Sequence, residues 1–170
     1  FDTMNAQTTI HFTDNYLINP TNPVTVIVVG AGGTGSQLLT ALARMNHALV
    51  ALGHAGLQLC LYDDDRVTEA NLGRQLFADA ELGQYKAAAL INRINRFFGT
   101  NWKAVTQRFE KDMLDRLPNN GKANIYISCV DTAAARFDIA GALRSIERNT
   151  SRWERSRAFY WMDFGNSRHT

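Results

Sequence analysis

Between residues 30 and 86 the chain carries, in order, a glycine-rich turn (Gly30-Ala31-Gly32-Gly33-Thr34-Gly35), an acidic triplet (Asp63-Asp64-Asp65), the segment Asn71-Leu72-Gly73-Arg74-Gln75 and then Lys86. Glycines let backbone approach a phosphate closely, carboxylates hold ribose hydroxyls or a hard cation, and guanidinium and ammonium groups neutralise phosphate charge. A glycine turn alone indicates only that a phosphate can sit there. Acid, amide, guanidinium and ammonium following it in this order point to a magnesium nucleotide whose phosphate is attacked.

Such groups need a scaffold that brings them together. Val24-Thr25-Val26-Ile27-Val28-Val29 is a nearly unbroken run of β-branched residues, the pattern of a strand covered on both faces in a parallel sheet. Gly30, Gly32 and Gly35 behind it fit G-x-G-x-x-G, and a helix opening near Thr34 and Ser36 directs free N–H groups and its positive dipole end at an anion. Residues 57–62 read as the second strand, so Asp63 falls at its carboxyl end, where a carboxylate accepts hydrogen bonds from ribose. Dehydrogenases place an acid there too, about 20 residues past the glycines. Here the intervening helical run is longer and the acid arrives later.

Further strands are expected over 103–107, 125–130 and 158–162, with helices over 34–52, 84–98, a short 111–117, and 132–149. Alternating strand and helix predicts an α/β, Rossmann-like fold with a doubly wound, mainly parallel sheet. Residues 1–23 are polar, contain Pro20 and Pro23, and read as an N-terminal arm, extended or forming an edge hairpin through Thr8 to Phe12. Residues 24–170 read as a single nucleotide-binding domain.

Each candidate also has a purely structural use. Arg74 suits an exposed guanidinium on a short helical segment. Lys86 heads an amphipathic helix whose Leu90, Ile91, Ile94, Phe97 and Phe98 face the core, and a lysine there opposes the helix dipole, so a bound phosphate gives it a reason to be present. Asp131 precedes Thr132-Ala133-Ala134-Ala135 and suits an N-cap.

Taken together, the loop Gly30 to Ser36, the acids Asp63 and Asp65, Asn71 with Arg74-Gln75, and Lys86 after Gly83 resemble the E1-like activating enzymes, the superfamily of ThiF, MoeB and the ubiquitin-activating adenylation domains. Ser128-Cys129-Val130-Asp131 through Arg136, and Asp163-Phe164-Gly165-Asn166, look like that family's later motifs. Within it the chain most resembles the ThiF-family proteins of bacterial PRTRC gene systems. The resemblance implies ATP-dependent adenylation of the C-terminal carboxylate of a small ubiquitin-like or sulfur-carrier protein, with release of pyrophosphate. It assigns Arg74 and Lys86 to the triphosphate, Asp131 to Mg2+ and Asp63 to ribose, with Gly30, Gly32, Gly33, Gly35, Asp65, Asn71 and Gln75 completing the ATP pocket. It also implies a homodimer. Two other readings compete: an NAD(P)-dependent oxidoreductase, which leaves Arg74 and Lys86 without a use, and a non-catalytic nucleotide-binding interaction module.

The chain departs from the family pattern in four respects. Thr132 stands where Asn usually follows the magnesium acid, and residues 1–43 hold no arginine to offer a partner's γ-phosphate. Cys60 and Cys129 are the only cysteines, both within expected buried strands, so neither a nucleophilic thiol nor a four-cysteine zinc site is expected. Relatives continue past the Asp163 to Asn166 motif, and the chain is expected to lack that C-terminal part.

Composition fits a soluble, cytoplasmic domain: 45% hydrophobic and 20% charged residues with sparse cysteine, and no apolar stretch of the ~20 residues that cross a bilayer. The formal charge of +2 hides a late run of arginines from Arg136 to Arg168. Interspersed acids and the lack of stacking aromatics at a recognised spacing favour a solvated helix face over nucleic acid.

Overall fold

The computed structural model describes residues 10–110, 112–116, 118, 121–149 and 157–165. Five strands, β1 (Val24–Val29), β2 (Leu57–Tyr62), β3 (Lys103–Val105), β4 (Ile125–Ser128) and β5 (Tyr160–Asp163), form one sheet in the order β3-β2-β1-β4-β5. Every pair is parallel, with Val24 opposite Leu57 and Val26 opposite Ile125 setting the central registers. The helices are α1 (Asn15–Ile18), α2 (Gly33–Ala51), α3 (Lys86–Phe98), α4 (Met113–Arg116) and α5 (Ala133–Asn149).

Alternation along β1 divides the core. Val26 and Val28 face one layer with Leu39 and Leu42 of α2 and Leu90, Ile91 and Ile94 of α3. Ile27 and Val29 face the other, with Leu114 of α4 and Ile139, Ala142 and Ile146 of α5. Burial on both faces is why β1 reads as a continuous apolar run, and each buried aliphatic side chain contributes about 1.5–3 kcal/mol. Leu39 is fully buried, so Leu39→Ala would cost about 2–5 kcal/mol and loosen α2 from the sheet.

The chain winds from β1 through β2 to β3 on one side, then returns to place β4 on the other side of β1. This reversal opens a crevice above the carboxyl ends of β1 and β4, where open α/β sheets bind ligands.

Several expectations are corrected. β4 ends at Ser128 rather than at 130, which places Cys129 and Val130 in the turn leaving the sheet, and β3 ends at Val105. β5 runs to Asp163, one residue past the expected end. Ile10 to Phe12 join no strand, and the arm instead holds α1, capped by Asp14 and fastened by stacking of Tyr16 on Phe159. Thr8 and Thr9, the start of the expected hairpin, lie outside the described residues. Phe97 does not face the core. It occupies the last turn of α3, just before Gly99 ends the helix in the left-handed conformation (φ 68°), and is 81% exposed with its ring edge-on to Phe98.

Candidate nucleotide site at the switch point

A cavity of about 530 Å3 opens over the carboxyl ends of the strands, and residues from seven separated stretches, Phe164 after β5 among them, line it. Gly30, Gly32, Gly33 and Thr34 come from the turn after β1, Asp63 to Asp65 follow β2, and Arg74 with Gln75 come from the next loop. Lys86 opens α3, Arg108 and Phe109 follow β3, and Cys129 to Thr132 follow β4.

The glycines divide by role. Gly30 has φ 101°, and a Cβ there would lie 2.7 Å from the Cys129 carbonyl oxygen. A Cβ on Gly35 would collide with the Gly30 carbonyl oxygen, so these two glycines let strand, turn and helix pack. Gly35 accordingly lies beneath the cavity, not on its wall. Gly32 and Gly33 have nothing within 4 Å of an added Cβ, because their Cα atoms face the open cavity. Gly32 is the N-cap of α2 and offers no side chain to its N–H groups. An uncapped helix start beneath open space is a cradle for an anion.

Asp63 is tied to both sides of this cradle. Its Oδ2 accepts from the Ala31 N–H at 2.7 Å and its Oδ1 from the Asp65 N–H at 2.9 Å. Each oxygen retains a lone pair for a ribose hydroxyl. Burial pushes its carboxyl above the ordinary carboxylate value, and the two N–H bonds oppose that rise.

Lys86 is buried, yet its Nζ donates to Asp65 Oδ2 at 2.8 Å and its backbone N–H to the Asp65 carbonyl at 2.8 Å. The acidic turn therefore sets both the start of α3 and the direction of the ammonium. A buried ammonium needs a partner to stay charged, and here the partner is an exposed carboxylate at the cavity rim.

Arg74 is carried by a long excursion between β2 and α3. An antiparallel bridge of Arg66 and Tyr85 closes its base, Val67 and Phe77 bury its middle, and Arg93 grips the Glu81 carboxylate at 2.9 Å and the Leu76 carbonyl at 2.6 Å. Arg74 lies in a turn after a 3₁₀ segment (Glu69–Asn71) rather than on a helix, and its exposed guanidinium reaches the cavity. Beside it, Gln75 also lines the cavity, and its Oε1 is buried with no hydrogen-bond partner.

Asn71 does not line the cavity. Its Oδ1 accepts from the Thr68 N–H at 2.9 Å and the Thr68 hydroxyl at 3.0 Å, a capping box that shapes the excursion. Thr132, rather than Asp131, caps α5: its Oγ1 accepts from the Ala135 N–H at 3.4 Å. The hydroxyl in place of the family's Asn takes the capping task, and Asp131 is left exposed on the cavity wall.

Arg108 is the cavity residue that the sequence did not disclose. No local pattern marks it, since only the pairing of β3 with β2 brings it to the cavity that Asp63 lines. The rule that ligands bind above strand carboxyl ends, applied to β3, singles it out. Phe109 next to it is buried edge-on against Tyr62, with centroids 5.3 Å apart, and gives this end an apolar floor. Cys129 also lines the cavity, contrary to its expected place inside a strand. Burial and the nearby Asp163 charge push its thiol up to about 11, and burial pushes Cys60 up to about 11 as well.

No group of three or more His, Cys, Asp or Glu suited to a metal occurs among the described residues. Asp131 alone nevertheless fits Mg2+, which needs one or two protein carboxylates and takes its other oxygens from phosphate and water.

An open parallel sheet with an uncapped glycine cradle at its switch point defines a nucleotide-binding fold. The family model of the ThiF family matches residues 9–147, and the chain belongs to that family, within the E1-like superfamily. Over 135 residues it is 32% identical to ubiquitin-like modifier-activating enzyme 5 of Culex quinquefasciatus, covering 73% of this chain and 32% of that protein. The enzyme of the same name from Gallus gallus is 31% identical over 133 residues, covering 72% and 31%. The chain thus spans about a third of the length of these relatives. Among solved structures, the E. coli tRNA N6-threonylcarbamoyladenosine dehydratase TcdA in complex with ATP shares the fold at a TM-score of 0.58 and 23% identity, covering 74% of this chain and 47% of that one. E. coli MccB with MccA shares it at a TM-score of 0.53 and 20% identity, covering 83% and 37%. No helix among the described residues is long and apolar enough to cross a membrane.

Proposed function

We propose that this chain forms the nucleotide-binding part of an E1-like adenylyltransferase. It would join AMP to the C-terminal carboxylate of a small ubiquitin-like or sulfur-carrier protein. In that reaction a carboxylate oxygen attacks the α-phosphorus of ATP, the bond to the β-phosphate oxygen breaks, and pyrophosphate leaves. One observation carries the reading: Gly32, Asp63, Arg74, Lys86 and Asp131, distant in sequence, border a single cavity.

In this reading the N–H groups at the start of α2 receive phosphate, and Asp63 receives the ribose. Arg74 and Lys86 lower the cost of bringing an anionic nucleophile to an anionic phosphate. The exposed Arg74 reaches in from its turn while Lys86 is held by Asp65. Charge balance explains the need for a divalent ion. The cavity wall carries four carboxylates, Asp63, Asp64, Asp65 and Asp131, against three cations, Arg74, Lys86 and Arg108. A highly charged anion entering such a wall is repelled unless a cation enters with it, and Mg2+ at Asp131 supplies that charge. The complexes of TcdA with ATP and of MccB with MccA support the same reading by likeness of fold.

Pyrophosphate exchange into ATP, measured with candidate carrier proteins ending in Gly-Gly, tests the reaction. Exchange that needs both the carrier and Mg2+, and that Lys86→Met or Arg74→Ala abolishes, is the expected result. Tight Mg-ATP binding with no exchange for any carrier would instead make the chain a binding module.

A further inference from the structure

We infer that Arg136 is a positioning residue for the wall of this site that follows β4 and β5; the inference rests on the nucleotide-binding reading and extends it to a residue outside the cavity. Arg136 lies on the first turn of α5 and does not line the cavity. Its Nη2 donates to the Val130 carbonyl at 3.2 Å. Its Nε lies 3.5 Å from Asp163 Oδ2, close enough for charge pairing but without a hydrogen bond, and is otherwise buried and unpartnered. Its guanidinium also covers Gly165 so closely that an added Cβ would collide with it.

These contacts join two turns. Val130 precedes Asp131, and Gly165 follows Phe164; both Asp131 and Phe164 line the cavity. Asp163 is itself fixed, because its Oδ1 accepts from the buried Ser128 hydroxyl at 2.6 Å, and that oxygen accepts from Trp161 Nε1–H at 3.1 Å. The Phe164 N–H donates to the Ser128 carbonyl at 2.8 Å. The β5 side of the join is thus anchored by strand pairing and by this chain of bonds. Among the described residues, the planar fork of Arg136 ties the exposed turn carrying Asp131 to β5. A lysine cannot reach both partners from one plane.

Gly165 provides a sharp test, because it does not occupy the left-handed region and the three atoms nearest an added Cβ all belong to the Arg136 guanidinium. Gly165→Ala therefore displaces the guanidinium without straining the backbone, mimicking Arg136→Lys. Hydrogen exchange of the nucleotide-free chain and calorimetry with Mg-ATP are measured for Arg136→Lys, Gly165→Ala and Arg136→Ala/Gly165→Ala, beside Arg136→Ala. In Arg136→Lys and Gly165→Ala, amides of 130–132 and 164–165 should exchange roughly tenfold faster while β1 and β2 stay protected. The Kd for Mg-ATP should rise about five- to twentyfold, and ATP affinity in EDTA should change by less than about twofold. The double variant should equal Arg136→Ala in both readouts. Wild-type exchange and affinity in Gly165→Ala, or a further loss when it is added to Arg136→Ala, would overturn the inference. If the wild-type chain binds no Mg-ATP, the nucleotide reading fails, and the exchange measurement still decides whether Arg136 joins the two turns.

Discussion

Lys86 separates a structural from a functional explanation of the site, because the two assign opposite signs to its removal. Its side chain is 9% exposed and pairs with an Asp65 side chain that is 67% exposed, so only one half of the pair is deeply desolvated. Lys86→Met keeps the aliphatic stem packed against the start of α3, removes a buried ammonium and leaves Asp65 a solvated carboxylate. Replacing a buried charge by an apolar group of similar shape is often neutral or stabilising by about 1–4 kcal/mol, and relief of the unfavourable helix dipole acts in the same direction. Denaturant unfolding of the nucleotide-free chain should therefore show stability unchanged or raised. Losing one charge-assisted hydrogen bond to phosphate costs about 2–3 kcal/mol, so the Kd for Mg-ATP by calorimetry should rise roughly 30- to 150-fold. Asp65→Ala supplies the control: it strands the ammonium, and stability should fall by about 1–3 kcal/mol, less than for a fully buried pair because Asp65 is exposed. A variant Lys86→Met that loses about 3 kcal/mol of stability and binds Mg-ATP like wild type would refute the functional assignment.

Further expectations address the other walls. An added Cβ at Gly32 has no protein atom within 4 Å and the φ of -72° is allowed, so in Gly32→Val the melting temperature should stay within about 2 °C, while nucleotide affinity falls at least roughly tenfold as the side chain fills the cradle. Gly30→Ala, at φ 101° and against the Cys129 carbonyl, should cost about 2–4 kcal/mol in denaturant unfolding. The raised carboxyl of Asp63 sets a pH dependence: its contribution to stability is present below the unfolded pKa and is lost as pH rises through the higher folded pKa. Asp63→Asn should flatten the stability profile over that window, and nucleotide binding by wild type should fall as Asp63 protonates above the ordinary carboxylate value. With both thiols at about 11, about one in a thousand is thiolate at pH 8, so alkylation should be slow in the native chain and rise by at least roughly tenfold in urea.

The parts of this fold that were legible in sequence are those dictated by local pattern. β1 and β2 begin and end where their apolar runs do, because Pro23 and Gly30 bracket the first run and Gly56 and Asp63 the second. The glycine turn, Asp63 and Lys86 were legible because spacing along the chain reports which strand end each occupies. What sequence left open depends on contacts between distant segments. Arg108 reaches the cavity through the pairing of β3 with β2, and Arg136 meets Asp163 only because β5 lies beside β4. Asn71 carries the right residue type but spends its carbonyl oxygen on Thr68, and Thr132 takes the cap that Asp131 seemed suited to. In both cases a neighbouring threonine decides the outcome through a local hydrogen bond, which composition alone does not rank.

Calorimetric titration of the chain with ATP in Mg2+, ATP in EDTA and NAD+ tests the central claim most directly. A cavity walled by four carboxylates and three cations should take Mg-ATP at one site, bind ATP much more weakly in EDTA and ignore NAD+. Binding of NAD+ with no binding of Mg-ATP would contradict it.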